Sequence, residues 1–297
     1  MSYANGDRFE GQFQGAKRQG QGVMVLANLD RYEGQFEDDF YHGKGTLTAA
    51  NGERYSGDYY RGMRQGQGEL IFPDKGRYIG SFENNKAHGK GASRHPNGDT
   101  FEGDHVAGDR TGRGVYRFAN GDTYEGQFTD NLYQGIGTFA FATGAKYSGS
   151  YVRGLKQGQG EYIFADKGRY VGPFDRDKPH GKGSFFHTNG DRYEGDLEAG
   201  LFSGRGVMYM ASGDRYEGGF RNNVQDGQGV HYFASKDRYE GSFRGGRQNG
   251  PGTHYFANGD RYVGTFADGL RHGKGVHHFA SGQSREVEYN SGVEKAP

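Results

Sequence analysis

Gly-x-Gly pairs, twelve of them from Gly20/Gly22 to Gly273/Gly275, are the first residues here that could do chemistry, because glycine-rich loops cradle phosphates. Gly43-Lys44-Gly45-Thr46 adds a lysine and a hydroxyl. A phosphate loop needs GxxxxGK[ST] between a strand and a helix, and here a second glycine follows the lysine. No helical periodicity follows, so no helix N-terminus is available to hold an anion. The pairs read as structural. Of the eleven histidines, His42, His88, His180 and His272 precede a Gly-x-Gly pair and read as hydrogen-bonding groups beside turns. His231, His254 and His277 recur at one spacing near the C-terminus. Strand pairing would hold such positions about 10 Å apart, whereas zinc–histidine bonds are about 2 Å. No shared metal is expected, and a pH-sensitive face is the alternative.

Charged residues come next. Asp-Arg precedes a recurring aromatic in six places, and Glu follows that aromatic in seven. Opposite charges at matching positions of adjacent strands predict a solvated, mutually paired face, each pair contributing roughly 0–1 kcal/mol. The local basic sets are Lys17/Arg18, Arg61/Arg64, Arg153/Lys156 and Arg244/Arg247, the candidates for an anionic lipid headgroup. Apolar loop positions are the candidates for protein contact: Phe40, Tyr41, Tyr60, Met63, Tyr133, Leu155 and Phe202. A catalytic triad or carboxylate pair cannot be picked out, since every obvious candidate recurs with the repeat.

The elements that must position these residues follow from one period. Phe9, Tyr32, Tyr55, Tyr78, Phe101, Tyr124, Tyr147, Tyr170, Tyr193, Tyr216, Tyr239 and Tyr262 are each 23 residues apart, and a glycine follows two residues after each. Thus 36 of the 57 glycines occupy three fixed slots, as in Gly34, Gly43, Gly45, Gly195, Gly204 and Gly206. Period-2 alternation in Tyr32-Glu33-Gly34-Gln35-Phe36 puts Tyr32, Gly34 and Phe36 on one face. A loop over Glu37–His42 then leads to a second strand beginning at Gly43, and Asn51-Gly52 turns the chain back, a hairpin signal. Aromatic rings of neighbouring strands are expected over the glycines, which offsets the cost of glycine in a strand. The ring ladder should thin at His105 and Leu197, and Pro173 and Pro251 fall inside expected strands.

The predicted fold is therefore all-β, a thin elongated rod of stacked antiparallel hairpins that buries itself repeat on repeat. Twelve hairpins at about 4.8 Å per strand give a rod roughly 115 Å long. Residues 5–283 form one continuous array, with 92-residue similarity suggesting four-repeat blocks 5–96, 97–188 and 189–280. In 284–297, Arg285, Val287 and Tyr289 fall on the repeat's slots as a degenerate half-repeat and a candidate self-association edge, with a frayed tail from Ser291.

Composition bounds the function classes. Glycine without Gly-X-Y periodicity excludes collagen, and 15% aromatics argue against disorder. With 37 basic and 37 acidic residues the net charge is zero, so no electrostatic drive toward nucleic acid follows. Cysteine is absent, excluding disulfides and thiolate metal sites. No apolar run suits a signal peptide or a membrane helix. A soluble cytoplasmic protein without cofactor or metal is expected.

The unit Tyr-x-Gly-x-Phe, a loop, then Gly-x-Gly, at a 23-residue period, resembles the MORN repeat (membrane occupation and recognition nexus). The resemblance implies an elongated single-layer twisted antiparallel sheet with a long groove, acting in scaffolding, dimerisation, partner binding or attachment between membrane and cytoskeleton. It includes an appendage of plant phosphatidylinositol phosphate kinases, but the repeats leave no room here for a kinase domain. The expected function is a non-enzymatic scaffold that binds protein partners and self-associates through an end. The alternative is a peripheral phosphoinositide-binding tether.

Overall fold

Every regular element in the computed structural model, which describes residues 1–296, is a β-strand. The local sequence explains each hairpin. Arg31–Glu37 buries Tyr32, Gly34 and Phe36 and exposes the residues between them, the pattern of a half-buried strand. Asp38 (φ 48°) and Asp39 (φ 71°) then turn the chain into Phe40–Thr48. Two consecutive positive φ values make this a tight type I′ turn. The loop expected over Glu37–His42 is therefore corrected: only two residues turn, and the second strand starts at Phe40.

The three glycine slots have two different causes. Gly34 faces Gly45 across the ladder, yet Gln35 faces His42, so the second strand bulges between them. Gly43 sits in that bulge at φ 57°, and the first glycine of every Gly-x-Gly pair likewise has positive φ, a conformation that side chains resist. Gly34 and Gly45 answer a steric demand instead. A Cβ on Gly45 would lie 2.5 Å from carbons of the Tyr32 ring, and one on Gly34 would lie 2.7 Å from its hydroxyl. The same arrangement places Tyr193 over Gly195 and Gly206, with Gly204 at φ 59° in the bulge.

Successive hairpins are joined by loops such as Ala49–Glu53, where the Gly52 N–H donates to the Ala49 carbonyl at 2.9 Å and Gly52 takes φ 91°. Asp30 Oδ1 reaches into this loop and accepts the Ala50 N–H at 2.9 Å. Asp7, Asp99, Asp122, Asp191, Asp214, Asp237 and Asp260 each accept the corresponding N–H twenty residues onward. The aspartates read from sequence as half of a solvated charge pair are thus backbone clamps between repeats. Their neighbouring arginines pair with glutamates instead, as in Arg31–Glu33 at 2.6 Å and Arg215–Glu217 at 3.3 Å.

The chain divides into two compact units, Met1–Thr143 with Tyr151–Gly154, and Gly144–Ser150 with Leu155 onward. In each, hairpins stack as an open antiparallel sheet. The described residues form 27 strands rather than 24. One extra strand arises where the second strand of the repeat that holds Pro173 breaks into Lys178–Pro179 and Gly181–Phe186. The other two are Ser284–Asn290 and Val293–Glu294, so the tail expected to fray from Ser291 forms a short strand; Pro297 lies outside the described residues. Pro251 leaves Arg247–Tyr255 unbroken.

The core is a ladder of edge-to-face rings. In the first unit, Phe36 meets Phe9 at 5.0 Å, Tyr59 meets Tyr32 at 5.3 Å and Phe82 meets Tyr55 at 5.0 Å. In the second, Phe243 meets Tyr216 and Phe266 meets Tyr239, both at 4.8 Å. Each such pair contributes about 0.5–1.5 kcal/mol beyond burial. The expected thinning at His105 does not occur: its imidazole takes the same edge-to-face place against Tyr78 at 5.1 Å and Phe101 at 5.2 Å. At buried Leu197 no ring is present, and Phe185 packs on Tyr170 at 4.7 Å instead.

Candidate interaction surfaces

Two faces and two edges carry side chains that could meet a partner. On the aromatic face, the residue that follows each tight turn by two positions lies over the rings. Tyr41 stacks on Tyr32, Tyr133 on Tyr124 and Phe202 on Tyr193, each with centroids 3.7 Å apart. Phe202 is only 8% exposed. These three candidates were expected as loop tips; the strand's earlier start brings them inward as a second layer on the core. Cations take the same slot elsewhere. Arg18 lies over Phe9 and Phe36, Arg64 over Tyr55 at 5.0 Å, and Lys156 over Tyr147 and Tyr162. Burial lowers the Lys156 pKa against the opposing pull of Asp177, and burial raises the Tyr55 hydroxyl to about 12.

The headgroup candidates consequently do not converge. Lys17 pairs with Asp38 at 2.9 Å, Arg18 with Asp39 at 3.1 Å, Arg64 with Glu53, and Arg247 with Asp268 at 3.9 Å. Arg61 and Arg153 occupy turn positions at φ 47° and 49°, and Arg244 faces Arg247 across its turn. What sequence showed as four basic pairs is, in structure, cations divided between a turn edge and the aromatic face.

The turn edge holds the remaining protein-contact candidates. Phe40 is 51% exposed, Tyr60 52% and Leu155 42%, while Met63 is half-buried. Val106 and Leu132 continue this exposed apolar row in the first unit; Leu201, Val224 and Leu270 continue it in the second.

At the C-terminal edge, Val287 and Tyr289 are buried against the preceding strand, where Val287 faces Gly275 and Tyr289 faces Gly273. Arg285 pairs with Glu294 at 3.0 Å. Val293–Glu294 covers one end of this strand at Tyr289 and Asn290.

The opposite face was missed from sequence. In the second unit it carries Phe186, Tyr209, Tyr232 and Tyr255, one per repeat, each under the guanidinium of Arg169, Arg192, Arg215 or Arg238 at 4.1–4.4 Å. A depression beside them is lined by Glu194, Val207, Glu217, Val230, Tyr232 and Glu240. The signal was legible as aromatics recurring at one 23-residue slot, masked by their position at the end of the second strand.

The histidines form a separate column. His231, Phe233, His254, Phe256, His277 and Phe279 stack in alternation, with neighbouring centroids 4.3–6.2 Å apart. Burial lowers the pKa of all three histidines, against nearby Asp214 for His231 and Asp237 for His254.

The MORN repeat family model matches twelve consecutive segments, from 9–31 through 262–284. A search of curated proteins finds no match. Among solved structures, the Drosophila melanogaster SAS-4 TCP domain in complex with a proline-rich motif of Ana2 is 13% identical. That match covers 58% of this chain and 86% of that one, with a TM-score of 0.33. The Danio rerio CPAP TCP10 domain in complex with a STIL peptide is 10% identical over 91% of this chain and 100% of that one, with a TM-score of 0.29.

Proposed function

Since the chain belongs to the MORN repeat family, we propose that it is a non-enzymatic scaffold that docks protein partners. The observation carrying this reading is the exposed apolar row at the turn edge, Phe40, Tyr60, Val106 and Leu132 in one unit and Leu155, Leu201, Val224 and Leu270 in the other. Exposed apolar side chains recurring along one edge are candidate protein contacts, here in short groups separated by charged turns such as Glu83/Lys86 and Arg244/Arg247. The repeat's rings, glycines and aspartates are consumed in holding hairpins together, whereas nothing internal requires an apolar side chain at these exposed positions. A phosphoinositide tether is less well supported. Stable anchoring asks for a polybasic cluster, and Lys17, Arg18, Arg64 and Arg247 already have carboxylate partners. Self-association through the C-terminal strand and a cytoplasmic site of action complete the reading.

A photo-crosslinking residue at Leu201 or Phe40 should capture a discrete protein from the native cell, and Val224→Asp beside the first or Tyr60→Asp beside the second should abolish that capture. Crosslinks to lipid alone, or the same adducts from a probe at the opposite face, would overturn the proposal.

A further inference from the structure

The Arg–Tyr ladder on the opposite face of the second unit is not used by the turn-edge reading. Its order across the sheet follows from strand register. Phe186 lies between Arg169 and Arg192, Tyr209 between Arg192 and Arg215, Tyr232 between Arg215 and Arg238, and Tyr255 between Arg238 and Arg261. Each guanidinium covers one face of the ring in its own repeat, leaving the rings partly buried with one side accessible. The hydroxyls of Tyr209, Tyr232 and Tyr255 make no hydrogen bond among the described residues, unlike those of the core residues Tyr193, Tyr216 and Tyr239, which donate to carbonyls three residues on. Arg192, Arg215 and Arg238 pair with Glu194, Glu217 and Glu240 at 3.3–3.7 Å. The ladder is therefore locally neutral, so it selects neither an anion nor a cation.

Spacing identifies the occupant. Equivalent residues in successive repeats are two strand spacings apart, about 9.6 Å. A polyproline II chain completes one turn in three residues of 3.1 Å, about 9.3 Å, so across three intervals it drifts by about 1 Å. The nearest α-helical repeat, seven residues at 1.5 Å, is about 10.5 Å and drifts by nearly 3 Å. An extended strand returns a side chain to the same face about every 6.8 Å and falls out of phase at once. The polyproline II backbone also has no internal hydrogen bonds, so its carbonyls can accept from the tyrosine hydroxyls. Aromatic-lined grooves suit proline rings and gain from the segment's low conformational entropy.

We propose that the ladder Phe186, Tyr209, Tyr232 and Tyr255 docks an uncharged proline-rich segment in the polyproline II conformation, one proline per repeat, crossing the strands. This inference rests on the reading of the chain as a protein-docking scaffold but uses a different face. It is tested on the full chain with a fluorescent fifteen-residue peptide carrying proline at every third position and uncharged polar residues elsewhere. A control of the same composition has its prolines at irregular intervals. The phased peptide should bind at least tenfold more tightly than the control. Tyr232→Ala should weaken it at least fivefold, and Tyr232→Phe, which keeps the ring but removes the hydroxyl, by less. The rings are only partly buried, and an unchanged thermal unfolding midpoint in each variant separates lost binding from lost fold. Equal binding of both peptides, binding unchanged in Tyr232→Ala, or no binding at millimolar peptide overturns the proposal. Should the turn-edge probes still capture a protein in that event, the ladder fails alone and the scaffold reading stands.

Discussion

At the residue scale, glycine answers two separate demands, and substitution should separate them. Gly206 is covered by Tyr193, with a Cβ there 2.5 Å from a ring carbon. Overpacking a fixed ring costs typically 1–3 kcal/mol, so Gly206→Ala should lower chemical-denaturation stability by about 2–3 kcal/mol. A cost below about 0.5 kcal/mol would mean that the ring can move aside. The inverse experiment lies in the hairpin-joining loops. Leu29, Lys75, Lys167 and Lys236 occupy φ 72–76° where other repeats have glycine. A side chain in that region costs roughly 1–2 kcal/mol, partly offset by the entropy that glycine loses on folding, about 0.5–1 kcal/mol. Lys75→Gly should therefore stabilise by about 0.5–1 kcal/mol, read as a higher unfolding midpoint. Sequence showed the glycine slots plainly, because period and identity coincide there. It did not show that Gly43 and Gly45 differ in cause, because φ is set by a bulge that only strand pairing defines.

Between elements, the clamps and the histidine column make different predictions. Asp260 Oδ1 accepts the Ala280 N–H at 2.8 Å, so Asp260→Ala leaves a backbone donor without its acceptor, at a cost of about 1–2 kcal/mol. Asp260→Asn retains an acceptor and should recover most of it in the same denaturation series. His231, His254, His277 and His105 all have lowered pKa values, burial being the first cause in each. A buried histidine held neutral binds its proton more weakly when folded than when unfolded. Stability is then complete above the unfolded value near 6.5 and falls as the pH drops through it toward the folded value. Thermal midpoints should decline from pH 7 to pH 5, and His231→Phe/His254→Phe should flatten that slope. An unchanged slope would place the lost protons elsewhere. The hairpins themselves were legible from alternation and the Asn-Gly turns. The inward stacking of Tyr41, Tyr133 and Phe202 was not, since Asp38-Asp39 does not announce a two-residue turn and that slot varies among Arg, Tyr, Lys, Phe and others. Variation there reflects several ways to cover a ring rather than freedom from the core.

For the molecule as a whole, the consequence of stacking is that each sheet ends in an edge, and unpaired strand edges invite another chain. Ser284–Asn290 is the last long strand, with Val287 and Tyr289 continuing the glycine and aromatic slots of the array. Val293–Glu294 covers only its Tyr289–Asn290 end, while Ser284–Glu288 offers backbone groups over a stretch long enough for an antiparallel two-fold ladder. Such a pairing is isologous, the commonest closed symmetry, and would bring Arg285 and Glu286 of one copy toward the same residues of the other. Oppositely ordered charges can pair across that axis, whereas Arg285→Glu places like charges there in both copies. Light scattering should give twice the chain mass for the full protein, and the single-chain mass both for Arg285→Glu and for a chain ending at Ser281. The truncated chain loses the buried Val287 and Tyr289, so its circular dichroism must show that the remaining hairpins persist; a repeat array with only nearest-neighbour interfaces should survive the loss of its last hairpin. A full chain that remains monomeric at high micromolar concentration would rule out the edge as a dimer interface, and the strand would then serve only to close the array.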